Sequence, residues 1–212
     1  MKFQHLQDCS CGGHYRFETS GDKSFKAGEC SSCGKTAHLL DPLSVSVVAE
    51  RLLHRSKSEL DAGDNTLAIL IAAIAVETFL TRLFMKIKKM DGLVVSFQWP
   101  TTADEEAWEA EYPRSGGFTG PANFVSRNLV NVTFDEFVSA NKTAQTIYAT
   151  LPNSNHLPLA KLCQTELFKR RNRIAHWGYI NSGADDAKQC HEIAVGVVCV
   201  LREMDRVRYA NI

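Results

Sequence analysis

The pattern of apolar and polar positions changes near residue 41 and divides the chain into two parts. Before this point, the alternating stretch HYRFE (14–18) and the turn-rich stretch after it predict a β-hairpin. After it, apolar residues recur at helical spacing from Val45 onward. We therefore predict a mainly α protein, with a small β-domain over residues 1–40 and a helical domain over residues 43–212.

The longest apolar stretch of the chain lies in a long predicted helix. Asp64 is a suitable N-cap for this helix, which begins with LAILIAAIAV and ends near Met90. The apolar run from Leu67 to Val76 covers ten residues, whereas a membrane span needs about 20. The first residues, MKFQHLQDCSCGG, contain no apolar segment typical of a secretory signal. We therefore expect a soluble, cytoplasmic protein without a membrane partner.

Three further helices are predicted after this one. The first runs from a capping box formed by Thr133 and Glu136 to about residue 150. The second begins at Pro158, a residue favoured in the first helical position, and ends at Gly178. The last helix spans about 184–209.

Charge is balanced over the whole chain but is unevenly distributed along it. Lys plus Arg and Asp plus Glu both number 24, which excludes a general positive surface for gripping nucleic acid. Residues 92–132 hold three of the six prolines and the acidic sequence ADEEAWEA, so we predict an irregular acidic insertion there. Residues 161–178 hold five basic side chains and one acidic side chain, which favours a focused site for an anionic ligand.

Four of the seven cysteines lie within the first 33 residues, in two short pairs. A glycine follows each pair, and such tight turns let backbone amides point toward thiolate sulfurs. Two such turns joined by a hairpin resemble a zinc ribbon. We therefore predict a structural Zn²⁺ site with four thiolate ligands, Cys9, Cys11, Cys30 and Cys33.

Two alternatives to this ligand set follow from the spacing. The first pair has one intervening residue where a zinc ribbon usually has two, so His5 or His14 is an alternative ligand in place of one sulfur. The other interpretation is that the pairs are redox-active or incidental cysteines.

The candidate chemistry of the helical domain lies in residues 166–179, which read ELFKRRNRIAHWGY. Arg171, Asn172 and His176 form an Arg-Asn-x-x-x-His motif at the end of a basic helix, and this motif resembles the signature of the HEPN superfamily. A bare Arg and His at this spacing is expected roughly once by chance in such a chain. The resemblance therefore rests also on Asn172, on the basic helix and on the apolar helix that runs into Glu77.

The resemblance implies a HEPN-like helical bundle with metal-independent endoribonuclease activity. It suggests a role in phage defence, a toxin–antitoxin pair or a stress response, with RNA as substrate and an antitoxin or another protein as a further partner. In some members a tyrosine soon after the histidine is modified; here Tyr179 lies three residues after His176, one more than in the pattern associated with that chemistry.

Each motif residue has a chemical role in this interpretation. His176 acts as general base or acid, since imidazole exchanges protons near neutral pH. Arg171 holds the phosphate, and Asn172 orients the histidine or the phosphate. Arg170 and Arg173 are expected either to contact the substrate backbone or to be surface charges. Glu77 is expected to be a helix-packing residue or to support the motif residues without touching the RNA.

Spacing along the helix also bears on assembly and on alternatives. Asn172 and His176 share one helix face, and Arg171 lies about 100° from Asn172. One copy of the motif does not surround a phosphodiester, so a homodimer with the site at its interface is expected, as in the family. The alternatives are that His176 and Trp177 only cap and pack the helix end, and that the chain is a non-catalytic module binding nucleotide or protein, with the ribbon as a docking element.

Overall fold

The structure, a computed structural model, describes residues 2–9, 11–20, 28–37, 45–91, 110–112, 117–178 and 182–210. The described residues are mainly helical, which confirms the predicted class. The chain separates into two compact units, Met1–Ser44 and Val45–Ile212.

The N-terminal unit contains a four-stranded antiparallel sheet in the order β1-β2-β3-β4. The predicted alternating strand, HYRFE, lies within β2, which pairs with β3 and places Tyr15 opposite Cys30. Residues 21–27, which follow β2, lie outside the described residues. The first strand was not predicted; it pairs with β2 along its whole length, from Lys2 opposite Ser20 to Asp8 opposite His14. The strands are β1 (Lys2–Asp8), β2 (His14–Ser20), β3 (Gly28–Cys30) and β4 (Thr36–Ala37).

The C-terminal unit is built from helices in the described residues. In chain order they are α1 (Val45–Asp61), α2 (Asn65–Asp91), α3 (Thr119–Val130), α4 (Phe134–Ala140), α5 (Lys142–Ala149), α6 (Leu159–Leu162), a π-helical segment (Cys163–Phe168), α7 (Lys169–Trp177) and α8 (Ala184–Ala210).

Helix α2 is the central helix of this unit and packs against α1, α3, α7 and α8. Its predicted N-cap is confirmed, because the Asp64 carboxylate accepts a hydrogen bond from the Leu67 amide at 3.0 Å. The segment Asn65–Phe84 is long and apolar enough to cross a membrane, but 56% of it is buried within the protein. This burial is consistent with the core helix of a soluble protein.

The predicted irregular insertion over residues 92–132 is wrong for its C-terminal part. Residues 119–130 form α3. This helix tolerates Pro121 because the residue lies in the first turn, where a backbone amide has no partner within the helix and its absence costs no hydrogen bond. The apolar positions of α3 face the core, where Ala122 and Val125 are buried. Residues 92–109, which include the acidic sequence, lie outside the described residues.

The predicted helix over residues 133–150 is two helices. The capping box of Thr133 and Glu136 is present and starts α4. Asn141 then adopts an extended conformation, ends α4, and caps α5 by accepting a hydrogen bond from the Ala144 amide at 2.9 Å. The asparagine side chain takes the place of a backbone carbonyl as the acceptor for this amide, so the helix can be interrupted at Asn141 without leaving the amide unpaired.

The helix that carries the motif contains a π-helical segment. Pro158, predicted as the first helical residue, is the N-cap, so the helix begins one residue later, at Leu159, and Gly178 ends α7 with a φ of 60°. In the π segment, the Glu166 carbonyl accepts a hydrogen bond from the Cys190 thiol of α8 at 3.2 Å. This contact ties the last helix to the segment that precedes the motif.

Candidate functional site

The two turns of the N-terminal unit bring the four predicted cysteine ligands together. All four sulfurs lie within 4.8 Å of one another. The Sγ atoms of Cys9 and Cys33 are 3.7 Å apart, and those of Cys11 and Cys30 are 3.5 Å apart. These separations exceed the roughly 2.05 Å of a disulfide bond, so the cysteines are free thiols.

The sulfur positions fit a tetrahedral metal site. Zinc–sulfur bonds of about 2.3 Å place two sulfurs of a tetrahedron about 3.8 Å apart. The four cysteines can therefore hold a metal ion, and their arrangement is compatible with zinc. Among the described side chains no histidine joins this group, so His14 is not a member. The side chain of His5 lies outside the described residues.

Backbone amides near the turns point toward two of the sulfurs. The amides of Ser32 and Cys33 donate to the Cys30 sulfur and lower the pKa of Cys30. The Gly13 amide acts on Cys11 in the same direction, but hydrogen bonds with the other three thiols outweigh it and raise the pKa of Cys11 to about 12. Such crowded thiols do not all ionise without a compensating cation.

The motif in the helical unit forms a network centred on Arg171. The guanidinium forms an ion pair with Glu77 of α2 and donates to Asn172 Oδ1 at 2.9 Å. It also lies over the Phe168 ring, 5.9 Å from the centroid. Two of its five N–H donors are therefore engaged, and three remain for a ligand. The contact with Glu77 joins two residues that are 94 positions apart in the sequence.

His176 lies outside this network and is exposed. It is five residues from Arg171, which corresponds to about 140° around the helix. Trp177 beside it is 84% exposed. The alternative that Trp177 packs against the helix end is therefore wrong, and the helix end presents an imidazole and an indole to solvent.

The two neighbouring arginines differ in their contacts. Arg170 bridges Glu166, at 3.1 Å, and Asp186 of α8. Arg173 is exposed and lines a surface groove of about 520 Å³ between the π segment, α7 and the start of α8. Arg170 is thus held by two carboxylates, whereas Arg173 is available to a ligand.

Neither Lys169 nor Trp177 was predicted to contact the substrate. Their spacing in the sequence does place them together with Arg173: Lys169, Arg173 and Trp177 are four residues apart and therefore lie along one side of a helix. Tyr179 lies outside the described residues.

Comparison of the chain with protein-family models, with curated proteins and with solved structures finds no match.

Proposed function

We propose that the helical unit is a metal-independent endoribonuclease of the HEPN type and that the N-terminal unit is a zinc ribbon. The observation that carries the catalytic proposal is the placement of Arg171, held by Glu77 and Asn172, on the same short helix as the exposed His176. A fixed cation and an accessible imidazole that meet at one phosphate are the minimum equipment for cleaving RNA without a metal.

The reaction proposed is attack of a ribose 2′-hydroxyl on the adjacent phosphodiester. As the O2′–P bond forms and the P–O5′ bond breaks, the 2′-hydroxyl loses a proton and the leaving 5′-oxygen gains one; His176 carries one of these two protons and water carries the other. Arg171 stabilises the charge that develops on the phosphoryl oxygens through its three remaining N–H donors. Asn172 holds the guanidinium through its amide oxygen. The products are a 2′,3′-cyclic phosphate and a 5′-hydroxyl.

The site is proposed to be completed in a homodimer. Arg171 and His176 point about 140° apart on one helix, so a single copy does not direct both at one phosphate. A two-fold axis beside α7 brings two such helix ends to one RNA strand. Light scattering on the purified protein should give twice the chain mass of 23.6 kDa; a monomer at the concentrations that cleave RNA contradicts this arrangement.

The contacts divide the basic side chains between two roles. Arg173 is proposed to contact the RNA backbone. Arg170 is assigned to fixing α7 against α8, because a phosphate would have to displace both Glu166 and Asp186.

The zinc ribbon is proposed on the geometry of the four sulfurs. Bound by Cys9, Cys11, Cys30 and Cys33, zinc supplies a structural cross-link between the two turns and keeps no open coordination position. A unit of this size usually needs such a cross-link to remain folded. Metal analysis should find one zinc per chain; a value well below one contradicts the proposal.

The catalytic proposal is tested by incubating the purified protein with single-stranded RNA in EDTA. His176→Ala and Arg171→Ala should each abolish cleavage, whereas Lys142→Gln, which changes an exposed residue of α5, should not. Undiminished cleavage by both motif variants contradicts the assignment. RNA binding without cleavage by the unaltered protein would instead support a non-catalytic module. The proposed location is the cytoplasm, where an RNA target is accessible.

A further inference from the structure

The groove beside α7 carries an excess of positive charge. Its volume of about 520 Å³ lies in the range of ordinary ligand sites. Both acidic side chains that line it, Glu166 and Asp186, are paired with Arg170. Lys169 and Arg173 also line it, and neither forms an ion pair with a described side chain. The groove therefore has three cations against two carboxylates, a net charge of +1, and Lys169 and Arg173, which lie outside the ion pairs, are open to a phosphate.

The two cations lie in line with an exposed aromatic ring. Lys169, Arg173 and Trp177 are successive at four-residue spacing, so they follow one side of α7 with about 6 Å of rise between them. Both basic residues are exposed, and the Trp177 side chain is 84% exposed. Arg171 lies on another side of the same helix, bound to Glu77. Cations in a groove that leads to an aromatic platform are typical of sites for single-stranded nucleic acid.

We propose that Lys169, Arg173 and Trp177 form a track for the RNA strand that leads along the groove to His176. Lys169 and Arg173 bind two backbone phosphates, and Trp177 stacks on a base next to the phosphodiester that is cleaved. This inference rests on the proposed function for the identity of the substrate, and it gives roles to two residues that the catalytic motif does not contain. It also explains why a large apolar side chain is exposed immediately after His176.

The phosphate contacts are tested by anisotropy of a short labelled single-stranded RNA. The protein is the full chain with His176→Ala, which binds without cleaving, and salt concentration is varied. Adding Lys169→Gln and Arg173→Gln should reduce the slope of log affinity against log salt by about 1.4, since each phosphate contact to a single strand contributes about 0.7. The matched control adds Arg51→Gln and Lys142→Gln, two exposed positions elsewhere on the same unit, and should leave the slope unchanged.

The aromatic contact is tested in the same assay. Trp177→Ala should weaken binding about tenfold without changing the salt slope, because stacking is not ionic, and Trp177→Phe should retain most of the affinity. Adenosine 5′-monophosphate is added as a competitor to identify the source of the phosphate. If adenosine 5′-monophosphate displaces the RNA only at concentrations far above that of the RNA, the groove binds a strand. If the protein binds this nucleotide as tightly as the RNA, the track is overturned in favour of a site for a free nucleotide.

The outcomes separate the track from the catalytic proposal. We call Lys169→Gln and Arg173→Gln the groove variants. If His176→Ala abolishes cleavage but the groove variants and Trp177→Ala bind RNA normally, the track is wrong and the catalytic proposal stands. If the unaltered protein binds RNA through these residues but never cleaves it, the track stands and the catalytic proposal fails. An equal loss of salt slope in the groove variants and in the matched control also overturns the track.

Discussion

Replacing Glu77 with alanine tests whether its contact positions Arg171 for catalysis. The Glu77 carboxylate pairs with one terminal nitrogen of Arg171, and Asn172 accepts from the other at 2.9 Å. The Glu77 and Arg171 side chains are 40% and 27% exposed, so the ion pair is expected to contribute about 0–1 kcal/mol to stability. A loss of about 1 kcal/mol lowers Tm by about 2–4 °C in a domain of this size.

The expected effect on catalysis is much larger than the effect on stability. Without Glu77 the Arg171 side chain is free to leave the position in which it meets the phosphate, and misplacement of a catalytic group by about 1 Å can cost about 100-fold in rate. We expect Glu77→Ala to lower the single-turnover cleavage rate by about 10- to 100-fold at saturating RNA. Glu77→Gln retains a hydrogen-bond acceptor and should recover part of this rate.

A matched control separates positioning from folding. Asp61→Ala removes an exposed ion pair with Lys57 on the same unit, so it should change Tm by a similar small amount and leave the cleavage rate unchanged. Cleavage and thermal unfolding are measured on all variants. The reasoning is refuted if Glu77→Ala cleaves at the unaltered rate, or if its lost activity only parallels its lost folded fraction.

Three further predictions concern the two units separately. Gly13→Ala would place a Cβ 2.9 Å from the Cys30 sulfur, so zinc affinity should fall in competition with a chelator; unchanged affinity contradicts the described turn. Phe118 is 1% exposed, and its ring centroid is 5.6 Å from those of Phe134 and Phe168, so Phe118→Ala should cost about 3–5 kcal/mol and lower Tm by about 6–20 °C. A loss below about 1 kcal/mol would place Phe118 outside the core. Burial raises the pKa of Glu50 from 4.5 to about 7 against the opposing charge of Arg202, so the free energy of unfolding should fall as pH rises from about 4.5 to 7. Glu50→Gln should remove this part of the pH dependence in denaturant titrations, and an identical profile contradicts the assignment.

Local sequence signals predicted the helices where caps and apolar rows coincide. Asp64 and the capping box of Thr133 and Glu136 have their predicted roles because each cap depends only on residues within one helical turn. The helix Thr119–Val130 was missed because the prolines and glycines around it suggested a loop. Within this helix, Phe124 packs against Phe84 of α2 with ring centroids 5.6 Å apart, and spacing alone does not reveal a contact between residues so far apart in the sequence.

The candidate sites were predictable to the extent that their residues are close in sequence. The two cysteine pairs have a spacing that predicted their convergence, and the structure brings all four sulfurs together. The ion pair of Glu77 with Arg171 joins residues 94 positions apart, so its existence depended on how α2 and α7 pack. The pairing of Arg170 with Asp186 likewise depends on the docking of α8, and it changes the interpretation of that arginine.

The most direct test of the account is the chemical identity of the ends that the protein produces from single-stranded RNA in EDTA. Mass spectrometry of the fragments should find 2′,3′-cyclic phosphates and 5′-hydroxyls. A substrate with a 2′-deoxyribose at the cleaved position should remain intact, because the attacking hydroxyl is absent. Fragments with 3′-hydroxyl and 5′-phosphate ends, or cleavage of the deoxy-substituted strand, would contradict the role assigned to His176 and Arg171.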